Sequence, residues 1–311
     1  MACGVDVGGT KILAVAVDDH GHLTGEPLRC PTPRGGPAVL DAVVAVVAQV
    51  ADSLGGLDAV GVGIPGLVDR GGRLAMGPNL PDAEGTAFKV ELQRRLGRPV
   101  AVDNDATCAM WAEARLGAAQ GAEDAVLVTL GTGIGGGFVG GGLLQRGANG
   151  FAGEFGHMVV DPRGPLCPCG QRGCWERFAS GSGLGRLARE AAESRRGRRL
   201  VELAGGDPEL VKGEHVTVAA AEGDPEAIEV FRELGWWTAL GIANLISLLD
   251  PQVVVIGGGL VRAGTLLLDP VRRAYQDLVP AGPHRPPVPI LPARLGELAG
   301  AIGAGLLALD R

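Results

Sequence analysis

The chain has 311 residues, with 35 acidic against 28 basic side chains and a formal net charge of −7. That length covers two domains of ordinary size, and 46% hydrophobic with 20% charged residues is the composition of a folded globular protein. The acidic balance removes the electrostatic motive for binding nucleic acid or an anionic membrane. With no leader pattern at the start and no apolar run read as a bilayer span, a cytoplasmic protein is expected.

In chain order, the start reads as a β-hairpin: ACGVDV, a turn at GGTK, then ILAVAVDD. Apolar residues at helical spacing predict a helix over 38–54. A strand at DAVGVGIP, a loop, the helix FKVELQRRLG, a strand at RPVAVDND and the helix ATCAMWAEARLG follow. The second half then opens as the first did, with the strand AVLVTL, the turn GTGIGGG and extended FVGGGLL. That internal echo suggests a duplicated architecture. Beyond it come a cysteine loop, a helix over about 183–193, a less regular region to about Val218 and the basic run SRRGRR, read as a solvated helix end or loop. A long apolar helix within PEAIEVFRELGWWTALGIANLISLLD carries Trp236 and Trp237, expected in the core or a subunit interface. The strand QVVVIGGG and a closing helix ELAGAIGAGLLALD complete an α/β pattern.

Three glycine-rich turns follow strands: GVDVGGTK, TLGTGIGGG and VIGGG. Glycine lets backbone N–H groups come close to a phosphate. The P-loop pattern is absent, and GTGIGG is followed by strand sequence where a dinucleotide fold needs a helix. Two glycine hairpins, one per lobe, instead suit a phosphate clasp. Asp6, between Val5 and Val7, is placed to act through a magnesium ion or a water.

These hairpins, together with GIPGLVD at 63–69, GPNLPD at 77–82, DNDA at 103–106, GEFGH at 153–157 and CPCGQRGCWE at 167–176, resemble the ROK family (repressors, open reading frames, sugar kinases). The resemblance implies an actin-like (ribonuclease H-like) α/β sugar-kinase fold of two lobes around a central cleft. Residues 1–105 would form the small lobe, with a helix at about 298–311 packing back on it, and residues 106–297 the large lobe.

Cys167, Cys169 and Cys174 with His157 offer three thiolates and an imidazole, the closed tetrahedral set of a structural zinc. A disulfide would strand one cysteine in a reducing compartment, an iron–sulfur cluster fits a histidine less well, and a catalytic zinc needs an open position. Cys3, Cys30 and Cys108 are spread apart and read as small core hydrophobes. The resemblance adds that Glu154, His157 and Glu176 contact a sugar; His157 would bind zinc through one ring nitrogen and donate to a hydroxyl through the other.

VDNDA puts Asp103, Asn104 and Asp105 at a strand–helix junction, where either a helix cap or a ligand site is natural. By resemblance, Asn104 and Asp105 bind the sugar and Asp105 is the general base, with Asn79 and Gly66 as further sugar contacts. Phosphates would meet Gly8, Gly9, Thr10 and Lys11 on one lobe and Thr132 and Gly133 on the other, with Gly257, Gly258 and Gly259 near the adenosine. The resulting expectation is a kinase that phosphorylates glucose at its 6-hydroxyl with ATP and Mg²⁺, braced by zinc and assembled as a homo-oligomer, dimer or tetramer. Alternatives are a kinase for fructose, mannose or an N-acetylated amino sugar, a polyphosphate-using enzyme, or a sugar-sensing regulator. For the last, DVGGTK begins at residue 6, with no room ahead for a helix-turn-helix.

Overall fold

The computed structural model describes residues 1–194 and 196–310; Arg195 of the SRRGRR run and the terminal Arg311 lie outside the described residues. By contacts the chain groups into two units. The first comprises Met1–Leu127, Gly136–Gly153 and Ala293–Arg311, the second Val128–Gly135 and Glu154–Pro292.

In the first unit, β1 (Ala2–Val7) and β2 (Lys11–Val17) form the expected hairpin, and β3 (Leu28–Pro31) extends it. Helix α1 (Gly36–Leu54) leads to β4 (Ala59–Ile64), and the short pair β5 (Leu67–Val68) and β6 (Leu74–Met76) precedes α2 (Phe88–Leu96) and β7 (Val100–Asn104). The sheet order is β3-β2-β1-β4-β7, antiparallel in the hairpin and parallel from β1 through β4 to β7. One face is closed by the apolar stripe of α1, with Val39, Leu40, Val43 and Val47 in a core shared with Val5, Val62, Phe88 and Leu92. Contrary to expectation, Gly36–Leu54 is long and apolar enough to cross a bilayer by length and composition. Its valines recur at helical spacing, so the stripe that resembles a span is a core face.

The other face takes α3 (Asp105–Leu116) and α10 (Ala299–Leu309). Glycine makes that close packing feasible. A Cβ at Gly4 would lie 1.9 Å from the Ala301 carbonyl oxygen, one at Gly61 would lie 1.7 Å from that of Ala304, and one at Gly303 would lie 1.7 Å from that of Cys108. Glu113 of α3 is fully buried and accepts backbone N–H groups from Ala118, Arg294 and Leu295 at 2.7, 3.2 and 2.9 Å. Those contacts group α3 and residues 293–297 with the first unit, whereas the expected division fell after Asp105.

A second sheet has the order β10-β9-β8-β11-β12, built from β8 (Ala125–Leu130), β9 (Ile134–Gly140), β10 (Leu143–Leu144), β11 (Val253–Gly257) and β12 (Ile290–Pro292). Strand β9 starts inside the glycine run, at Ile134. The second unit continues through α4 (Glu176–Ala179), α5 (Gly181–Glu193), α6 (Arg198–Leu203), α7 (Gly213–Ala221), α8 (Pro225–Leu249) and α9 (Thr265–Leu278). Helices α6 and α7 occupy the stretch expected to be irregular. Helix α8 begins with Asp224 accepting the Ala227 N–H at 2.8 Å and Pro225 in its first turn, a strong start signal. Trp237 is half-buried and stacks on Phe178 at 4.1 Å between centroids, while Trp236 is 42% exposed.

Candidate active site and metal cluster

The first unit gathers one group of the expected residues. Gly8 closes the β1–β2 turn by donating its N–H to the Lys11 carbonyl at 2.9 Å, and Thr32 Oγ1 donates to the Gly8 carbonyl at 2.7 Å. A Cβ on Gly9 would stand 3.3 Å from the Asn79 side chain, so the turn and Asn79 are neighbours. Lys11, one of the expected phosphate contacts, donates from Nζ to Glu297 Oε2 at 2.6 Å, and Arg29 donates to the other oxygen at 2.8 Å.

At the end of β7, Asn104 does two things. Its Oδ1 accepts the Thr107 N–H at 3.0 Å, capping α3, while its Nδ2 donates to the Gly66 carbonyl at 3.1 Å. Cap and site are thus the same residue. Gly66 has φ 112° and a Cβ there would lie 2.2 Å from the Met76 carbonyl oxygen, so only glycine fits. Asp105 is half-buried, and its Oδ1 accepts the Ala106 N–H at 2.8 Å. Burial raises its pKa above the ordinary carboxylate value. Asp6 is pushed up to about 7, chiefly by burial and then by the nearby Asp105 charge, with Lys11 opposing. Two carboxyls whose ionisation burial opposes, one of them further raised by the charge of the other, mark a place built for a proton or a cation. Asp103, the other carboxylate of the junction, is 7% exposed and ion-paired with Arg146, which leaves it unsuited to collect a proton.

The second unit gathers the rest. Gly131 donates to the Gly133 carbonyl at 3.0 Å, and the start of α5 supports the turn: Gly181 N–H donates to the Gly131 carbonyl at 2.8 Å and Ser182 Oγ to the Thr132 carbonyl at 2.6 Å. A Cβ on Gly133 would sit 2.5 Å from Glu176 Oε2. Gly258, at φ 82°, packs its Cα on the end of β8, where a Cβ would be 2.5 Å from the Leu130 carbonyl oxygen. Turn, Glu176 and the glycines following β11 are therefore close together; Gly257 ends that strand, and Gly259 opens a 3₁₀ turn.

The cysteine loop folds back through Gly170 and Gly173, at φ 93° and 74°. Ligand atoms of His157, Cys167, Cys169 and Cys174 all lie within 4.8 Å of one another. Cys169 and Cys174 sulfurs are 3.5 Å apart, and Cys167 Sγ is 3.8 Å from His157 Nδ1. Tetrahedral zinc with bonds of about 2.3 Å to sulfur places sulfurs about 3.8 Å apart, so the cluster fits such an ion. His157 Nε2 points the other way, 3.8 Å from Glu154 Oε2. Glu176 Oε1 accepts from Cys167 Sγ at 3.0 Å and lies 3.9 Å from His157 Nδ1. Burial raises the Cys167 and Cys174 thiols; the Cys169 thiol is lowered despite its own desolvation cost by the Gln171 N–H and the neighbouring thiols.

Three residues escaped the sequence reading. Trp175, fully buried, donates Nε1–H to the Trp237 carbonyl at 2.8 Å and lies against Gly241, where a Cβ would come within 2.0 Å of the ring. It bolts the cysteine loop to α8, and its position between Cys174 and Glu176 was the available signal. Arg146 and Glu297 carried no local signal, because their partners are 43 and 286 residues away.

The ROK family model matches residues 2–311, and the chain belongs to the ROK family. Its α/β architecture is the actin-like fold of the ROK sugar kinases. The chain is 41% identical to a glucokinase of Streptomyces coelicolor over 100% of its own length and 98% of that protein. Among solved structures it is similar to a ROK family glucokinase from Streptomyces griseus in complex with glucose and AMPPNP, with a TM-score of 0.87 and 41% identity, covering 100% of this chain and 99% of the other. A ROK hexokinase from Thermus thermophilus matches with a TM-score of 0.81 and 35% identity, over 99% and 97% of the two chains.

Proposed function

We propose that this protein is an ATP-dependent glucokinase that phosphorylates glucose at its 6-hydroxyl. The observation that carries the reading is its full-length similarity, at 41% identity, to a ROK glucokinase that holds glucose and AMPPNP. In this reading Asp105 takes the proton of the 6-hydroxyl as that oxygen attacks the γ-phosphorus, and the bond to the ADP oxygen breaks. One Asp105 oxygen is held by the Ala106 N–H, which fixes the carboxylate and leaves the other oxygen for the sugar. Asn104, Asn79, the Gly66 carbonyl, Glu154, His157 and Glu176 take the remaining hydroxyls. Gly8, Gly9, Thr10, Lys11, Thr132 and Gly133 receive phosphates, and Gly257, Gly258 and Gly259 the adenosine.

Mg²⁺ arriving with the nucleotide would neutralise phosphate charge, and Asp6 is the residue that would hold it. Structural zinc on His157, Cys167, Cys169 and Cys174 would fix the imidazole through Nδ1 and leave Nε2–H as a donor. The six free cysteines suit a reducing, cytoplasmic setting, and the assembly in this reading is a homo-oligomer.

A coupled ADP-release assay with ATP across a panel of hexoses tests the proposal. Glucose is expected to give the highest kcat/KM, because a pocket whose polar groups pair with every hydroxyl leaves one unpaired against an epimer. A higher value for fructose, mannose or an N-acetylated amino sugar would displace the glucose assignment, and no turnover with any hexose would displace the kinase.

A further inference from the structure

Strand β7 is an edge of the first unit's sheet, and beside it lies a cavity of about 240 Å³ that none of the proposed catalytic roles uses. Asp69, Arg70, Lys89, Asp103 and Arg146 line it, with Leu307 of α10 among its apolar wall. Three cations face two carboxylates, which leaves one positive charge in excess. Asp69 Oδ1 accepts the N–H groups of Gly71 and Arg73 at 2.8 and 3.0 Å. Asp103 pairs with Arg146 through one oxygen and accepts the Asn104 N–H at 2.9 Å through the other. Arg70 donates through Nε to the Gly147 carbonyl at 2.9 Å, a neutral partner, as the backbone partners of Asp69 are.

Lys89 is the telling residue. It sits in the first turn of α2, its backbone N–H donates to the Gly72 carbonyl at 3.2 Å, and its aliphatic stem packs so closely on Gly72 that a Cβ there would meet it at 2.6 Å. The stem is therefore held, the side chain is half-buried, and among the described residues its ammonium has neither hydrogen bond nor ion pair. With its stem held and its ammonium unpaired beside the cavity, Lys89 offers a charge that an anion there would engage.

We propose that this cavity is a second binding site, for a small anion carrying a phosphate or carboxylate group. Lys89 is the principal charge contact, with the remaining N–H groups of Arg70 and Arg146 beside it. The volume is below the roughly 300–1,000 Å³ of pockets for drug-sized ligands, so it excludes a nucleotide and admits inorganic phosphate or a phosphate on a short carbon skeleton. The proposal does not rest on the kinase reading.

Thermal unfolding of the full chain, titrated with inorganic phosphate and separately with acetate at constant ionic strength and without nucleotide or sugar, tests it. At least one anion is expected to raise Tm saturably, as a ligand of the folded state does, and the one that saturates lower identifies the group. Lys89→Gln should weaken the fitted affinity about tenfold or more, the worth of one charge-assisted hydrogen bond. Lys89→Arg should retain it, which separates lost charge from a damaged fold. Lys11→Gln should leave it unchanged, since phosphate bound at the glycine hairpin would answer to Lys11. If neither anion stabilises saturably, or if the effect disappears in Lys11→Gln and survives in Lys89→Gln, the site is not there.

Discussion

The two glycine turns come from the same sequence echo, yet their surroundings differ. The β1–β2 turn closes on itself through Gly8 and Lys11, stands beside Asn79 and carries a cation held by Glu297. The β8–β9 turn has no charge of its own; the start of α5 braces it, and it stands against Glu176. A shared pattern thus fixes the hairpin but not its use, which is set by neighbours distant in sequence. In the proposed function the same contrast extends to the units around the turns. The first supplies the base and the charged phosphate contact, the second the sugar contacts Glu154, His157 and Glu176.

The sharpest way to break that division is Asp105→Asn. Asparagine keeps the oxygen that accepts the Ala106 N–H but cannot take a proton, so kcat should fall by about 10²–10⁴ while sugar affinity changes modestly. Steady-state kinetics with glucose, alongside calorimetric binding, checks both halves. Near-normal kcat would remove the chemistry from the first unit's β7–α3 junction, and Asp103 could not inherit it while paired with Arg146.

Cys169→Ala tests the other side. Metal analysis of the unaltered protein should find about one zinc per chain, by the four-ligand count. Losing a ligand frees the loop that fixes His157 and Glu176, and misplacement on the order of 1 Å is costly in a positioned site. Trp175 stays bolted to α8, so circular dichroism should still report a folded chain. Glucose binding should be lost in calorimetry with nucleotide binding largely kept. Loss of both ligands together with the fold would make the cluster a general brace and the sugar connection incidental.

How much of this was legible beforehand follows the same contrast. The cysteine cluster could be read from the chain because its ligands fall within 18 residues, from His157 to Cys174, and thiol spacing carries its own chemistry. Asp105 could not: a carboxylate at a strand–helix junction is equally a cap, and only the family resemblance raised it to a base. The packing of α10 on Gly4 and Gly61 joins segments some 240–300 residues apart, about which local periodicity says nothing. Helices α6 and α7 were missed because one is a single short stretch, RRLVEL, and the other, GEHVTVAAA, carries β-branched residues that weaken a helical reading.

Alanine at matched turn positions compares the two hairpins directly. In Gly133→Ala the new methyl would fall 2.5 Å from Glu176 Oε2, so the carboxylate must move. The expected result is a rise in the KM for glucose of about tenfold, within the range that small positioning errors produce. In Gly9→Ala the nearest atoms lie at 3.3 Å, a tight contact that Asn79 can relieve by a few tenths of an ångström. Its kinetic cost should stay below about threefold, as for most mild substitutions. Equal penalties would remove the contrast between the turns, and a larger one at Gly9 would show that the first turn is the more tightly packed of the two.

The smallest effect concerns the charge that the second turn lacks. Glu297 holds Lys11 at 2.6 Å and Arg29 at 2.8 Å, but all three side chains are about half exposed, at 53%, 52% and 46%. Such pairs are worth little, since solvent screens them and two long side chains must be ordered. If Lys11 meets phosphate in the working enzyme, Glu297 is its competitor: the carboxylate occupies the ammonium that the nucleotide needs. Glu297→Gln removes that competition and keeps the shape of the loop, which Glu113 anchors independently through Arg294 and Leu295. The KM for ATP should therefore fall by about two- to fivefold with kcat unchanged, and the gain should shrink as salt screens the pair. A rise in KM would reverse the assignment, making Glu297 the residue that aims Lys11 at the phosphates and not the one that holds it back.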